Sequence, residues 1–84
     1  MTKCDKMHKP TTYEVIFWNK TGTEAIKKEY YPMYLYSFDD VIDILKGKEC
    51  CCDIYESRYW KHIGRYVTVG KTFIWDGFTW TEQL

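Results

Sequence analysis

Short apolar runs, each ending in a turn signal, divide the chain into strands around one helical stretch. Residues 13–18, Tyr-Glu-Val-Ile-Phe-Trp, are rich in β-branched and aromatic side chains and read as a strand. Asn19-Lys20-Thr21-Gly22 follows as a turn, with Gly22 free to take positive φ. Residues 23–31 carry a helix-favouring Glu-Ala-Ile-Lys-Lys-Glu core, but a turn just after a strand favours an antiparallel return, so a second strand is expected. Pro32 confines that strand to an edge or a bulge, and residues 33–36 should continue extended. The helix comes next. Ser37 is a good N-cap with Asp40 three residues on, and Phe38, Val41, Ile42 and Leu45 form one apolar stripe at i, i+3, i+4 and i+7. Asp39, Asp40 and Asp43 precede Lys46 along the helix dipole, and Gly47 supplies the stop.

Beyond the helix the period returns to two. Residues 50–55 read as a strand with Cys50, Cys52 and Ile54 on one face. Residues 56–64 admit a helix, but β-branched residues resume at Arg65-Tyr66-Val67-Thr68-Val69, which favours a strand to Trp60 and a turn through residues 61–64. Gly70-Lys71 should turn the chain into a terminal ribbon. There, Asp76-Gly77 between aromatic runs signals a two-residue hairpin loop. In that register Trp75 faces Phe78 and Phe73 faces Trp80, which puts all four rings on one side and the threonines on the other. The expected fold is α+β: a single antiparallel β-sheet with one helix packed on one face, in the order β-β-α-β-β-β. Residues 1–11 read as a flexible tail and residues 12–84 as a single domain.

Composition narrows the function. Aromatics at 19% let an 84-residue chain build an efficient core, and eight tyrosines give many of those rings a polar tip. Twelve basic residues balance twelve acidic ones, which disfavours a general nucleic-acid binder and an acidic DNA mimic alike. No signal-peptide core and no run of membrane-spanning length is visible, so a cytoplasmic protein with reduced thiols, without membrane partners, is expected. Cys4 with His8 and Cys50 with Cys52 are the only candidate zinc pairs. The second has a single intervening residue, and buried free cysteine is the commoner fate. Asp53, Glu56 and Lys61 share the composition of the acidic-acidic-basic set of metal-dependent nucleases, yet solvated strand charges explain them equally well. No nucleophile motif or acid/base pair stands out, so no enzyme activity, catalytic residue, metal or cofactor is expected.

The segment from Arg58 to Tyr66 interleaves cations with rings, a composition suited to an acidic protein surface or to single-stranded nucleic acid. The tyrosines at 30, 31, 34 and 36 add a second surface, since only one parity of that run can face the core. Arg58, Trp60, Lys61 and Arg65, with Tyr31 and Tyr34, are the expected partner-binding residues. The layout from Tyr13 to Trp80 and the Lys/Ile/Tyr-rich composition resemble those of small phage-encoded accessory proteins, including anti-CRISPR inhibitors. The resemblance implies a non-catalytic binder that blocks a larger host enzyme or nucleoprotein complex in the host cytoplasm. A small nucleic-acid-binding or zinc-binding domain is the alternative.

Overall fold

A computed structural model describes residues 9–83. Strands β1 (Thr12–Trp18), β2 (Ala25–Pro32), β3 (Cys52–Trp60), β4 (Arg65–Trp75) and β5 (Trp80–Gln83) form one antiparallel sheet in the order β2-β1-β3-β4-β5. Among the described residues a single α-helix, α1 (Phe38–Ile44), joins β2 to β3, which gives the expected order β-β-α-β-β-β. Residues 1–8, with the Cys4 and His8 of the candidate zinc pair, lie outside the described residues. Of the expected tail, Thr11 is stitched to the sheet: its N–H donates to Ser57 O and its carbonyl accepts from Met33 N–H.

The helix forms as its sequence dictates. Ser37 accepts from the Asp40 N–H at 3.1 Å while the Asp40 carboxylate accepts from the Ser37 N–H at 2.9 Å, a reciprocal cap. Val41 and Leu45 are fully buried against Val15, Phe17, Cys52 and Ile54. Phe38 reaches the Phe73 ring at 4.5 Å and the Tyr13 ring at 5.9 Å, so the stripe bridges from β1 to β4. Gly47 adopts φ +88°, the left-handed turn that ends this segment.

β2 is a strand despite its helix-favouring composition, because β1 offers a pairing partner along its length. As Pro32 requires, it lies at the sheet edge. Residues 33–36 do not continue extended: Leu35 and Tyr36 N–H groups both return to the Pro32 carbonyl, closing a turn that starts the helix approach. The β3–β4 hairpin follows the expected path, with the turn at residues 61–64 closed by Gly64 N–H on Trp60 O at 2.8 Å.

Three further local expectations are corrected. Cys50 is not on a strand: Glu49–Cys51 form a 3-10 turn, and only Cys52 shares the buried face with Ile54. Gly70-Lys71 makes a bulge rather than a turn, with residues 69–71 opposite Glu56 and Lys71 N–H bound to the Glu56 carboxylate at 3.0 Å. The terminal hairpin has a four-residue loop, because Trp75 pairs with Trp80 and Phe73 with Glu82. Asp76 outcompetes the two-residue turn by accepting from Phe78 N–H, Thr79 N–H and the Thr81 hydroxyl at 2.8–2.9 Å. Phe73, Trp75 and Trp80 keep a common side, whereas Phe78 leaves it and stands 90% exposed in the loop.

Candidate protein-contact surface

Among the described residues, one face of the sheet carries the helix and the other carries none. Alternation puts Tyr13, Val15 and Phe17 of β1 beneath the helix, and Thr12, Glu14, Ile16 and Trp18 on the open face. Thr12 and Glu14 are nevertheless buried, and Ser57 beside them is completely so. Ser57 donates to Glu14 Oε1 at 2.9 Å.

What dries this pair is a roof of rings. Tyr30 on β2 and Tyr66 on β4 stack at 4.2 Å and 19°, although β1 and β3 lie between their strands. The two phenols must therefore lean across the middle of the sheet over Glu14 and Ser57. Tyr59, opposite Tyr66, adds an edge-on contact at 5.1 Å. A cleft of about 500 Å³ opens beside the stack, bordered by Lys28, Arg65 and Glu14. Burial, then the Glu14 carboxylate, raises the Tyr30 phenol above its ordinary value. Further along the same face, Asp53 accepts from Trp18 Nε1 at 2.9 Å and from the Tyr55 hydroxyl at 3.3 Å. Burial and that carboxylate push Tyr55 up to about 12.

The six residues expected to contact a partner all lie toward one end of the sheet, where β1 begins and β3 turns into β4. They do not share one surface. Arg58 and Trp60 alternate with Tyr59 and so belong to the helix side, beyond the helix itself. Arg58 Nη1 donates to Lys9 O at 3.0 Å, which gives this cation an internal partner. Lys61 is exposed in the hairpin turn, and Arg65 borders the open cleft. Tyr31 packs on the helix side, edge-on to Tyr36 at 5.2 Å, and its hydroxyl donates to Glu29 at 2.6 Å. Burial and that carboxylate push it up to about 12. Tyr34 is 85% exposed on the turn before the helix.

The remaining candidate chemistry disperses. Asp53 and Glu56 fall on opposite faces by alternation, and Glu56 is committed to the bulge, so the acidic-acidic-basic set does not converge. Cys52 is buried with its thiol on Lys48 O, and burial pushes it up to about 12. Cys50 and Cys51 are exposed with sulfurs 3.7 Å apart, and the Cys50 thiol beside it raises Cys51 above its ordinary value. Among the described residues no three His, Cys, Asp or Glu side chains gather as metal ligands, and no helix is long and apolar enough to cross a membrane. No protein-family model, curated protein or solved structure matches the chain.

Sequence reasoning named Tyr30 among the surface tyrosines but not among the contact residues, and it missed Glu14 and Ser57. The local signal was a carboxylate in the middle of an apolar strand, and alternation alone reads it as solvated.

Proposed function

We propose that the protein is a non-catalytic binding module that docks on a larger protein, in the manner of a phage inhibitor blocking a host defence complex. The observation that carries this reading is the tyrosine platform, which no described element covers: Tyr30 stacks on Tyr66 and Tyr59 meets Tyr66 edge-on, beside Arg65 and Lys28. Rigid, amphipathic rings next to cations are the composition of interface hot spots, because they lose little side-chain freedom on binding. Lys61, exposed in the β3–β4 turn at the same end of the sheet, would widen the contact.

The test compares capture of partners from a bacterial lysate by wild type and by the Lys28→Ala/Arg65→Ala variant, which removes the two cations beside the rings. The variant should lose the stoichiometric partner with its melting midpoint nearly unchanged. A large drop in midpoint with capture intact assigns these side chains to the fold and overturns the reading.

The stacked pair also favours a second reading, a single-stranded nucleic-acid platform, since bases stack on exposed rings beside phosphate-binding cations. A gel shift with single-stranded DNA and RNA at two salt concentrations separates the two. Binding that weakens steeply with salt transfers the platform to nucleic acid.

A further inference from the structure

On the helix-covered side, a second groove of about 410 Å³ runs between α1 and the β4–β5 hairpin. Its walls are Trp75 and Trp80, with ring centroids 5.6 Å apart and planes at 64°, so that one ring face and one ring edge meet at a corner. Phe78 forms the outer lip. This ring is 90% exposed, on a backbone held in place because its own N–H and the next are bound to Asp76 Oδ1. Opposite the rings stand Asp39 and Asp43 of α1 and Glu49 of the 3-10 turn. Lys46 is the single cation on the rim, paired to Asp43 at 3.3 Å with both side chains largely in solvent. The lining therefore carries three carboxylates against one ammonium.

We infer that this groove receives a lysine or arginine side chain of a partner protein. Aromatic ring faces attract a cation through their quadrupole, and convergent rings are the usual device for holding one. The carboxylates across the groove supply the complementary charge, and the methylene stem of either side chain suits the apolar walls. The charge excess on the rim rejects an acidic occupant. This site faces away from the tyrosine platform and uses none of its residues, so the two stand or fall separately.

The test titrates the protein with the peptide acetyl-Gly-Ser-Lys-Ser-Gly-amide, its arginine version, and its norleucine version, reading the indole N–H signals of Trp75 and Trp80 by NMR. The lysine or arginine peptide should shift both signals saturably, and the norleucine peptide should not. Asp39→Asn/Asp43→Asn/Glu49→Gln should weaken binding about tenfold with little change in melting midpoint, since Asp39 and Asp43 are exposed and glutamine at 49 keeps an acceptor for the Gly47 N–H. Phe78→Ala, at a site with no packing role, should weaken it about threefold or more. Absence of a saturable shift, an equal shift from the norleucine peptide, or undiminished binding by the triple variant overturns the inference.

Discussion

The two faces of the sheet are dried by different means. Under the helix, Val15, Phe17, Cys52 and Ile54 are covered by Val41 and Leu45, apolar against apolar, with the covering element held by its own backbone bonds. On the open face, a carboxylate and a hydroxyl are covered by two rings that reach over from β2 and β4. The first cover is a folded element and the second only a pair of side chains. The difference predicts where stability resides: hydrophobic burial under the helix and a polar pair, kept dry but removable, on the open side.

The sharpest way to break this comparison is Leu45→Ala. Leu45 is 1% exposed and couples the end of α1 to the sheet, so its truncation leaves a cavity costing about 3 kcal/mol. For a domain of this size that is a fall of roughly 15 °C in melting midpoint. Tyr66→Ala is the matching lesion opposite. It removes one ring of the stack and wets Glu14 and Ser57, at about 1–2 kcal/mol, while Tyr66→Phe keeps the ring and should cost less than half of that. Calorimetric melts of the three variants decide the order. A Tyr66→Ala loss equal to that of Leu45→Ala would make the ring roof a second core rather than a cover.

The asymmetry also sets how much was readable from sequence. The helix side was legible because its signals are local: Ser37 with Asp40, and an apolar stripe at helical spacing. Even the wrong hairpin loop kept Phe73, Trp75 and Trp80 on one side, because moving the pairing by two residues preserves strand parity. It misplaced only Phe78, which the longer loop lifts out of the ladder. The open side was illegible because Tyr30 meets Tyr66 through a strand order that no local pattern encodes. The bulge at Gly70 was hidden for a similar reason. A Cβ there would lie 2.9 Å from the Glu56 Cβ, so glycine answers a close approach from β3 rather than a turn. The contact residues suffered in the same way: sequence proximity joined Arg58 and Trp60 to Tyr59 and Tyr66, and strand alternation separates them.

The smallest effect tests whether the loop presenting Phe78 is held by a charge. Asp76 carries the three hydrogen bonds that replace a two-residue turn, and the Thr79 and Phe78 N–H groups and Thr81 hydroxyl hold its carboxyl below the ordinary aspartate range. A carboxyl whose folded value is depressed binds fewer protons folded than unfolded near its ordinary value. It therefore adds stability above that value, and the contribution is lost as pH falls through the lower, folded one. Asp76→Asn should accordingly melt below wild type at about pH 6, with the gap closing as pH falls below the ordinary aspartate value. Because the group is fully in solvent, the gap itself should be small and should shrink with added salt. A gap that stays constant with pH would mean that the backbone alone fixes the loop. Phe78 would then owe its position, and the groove its outer lip, to the Asp76 N–H bond with Thr79 O rather than to the carboxylate.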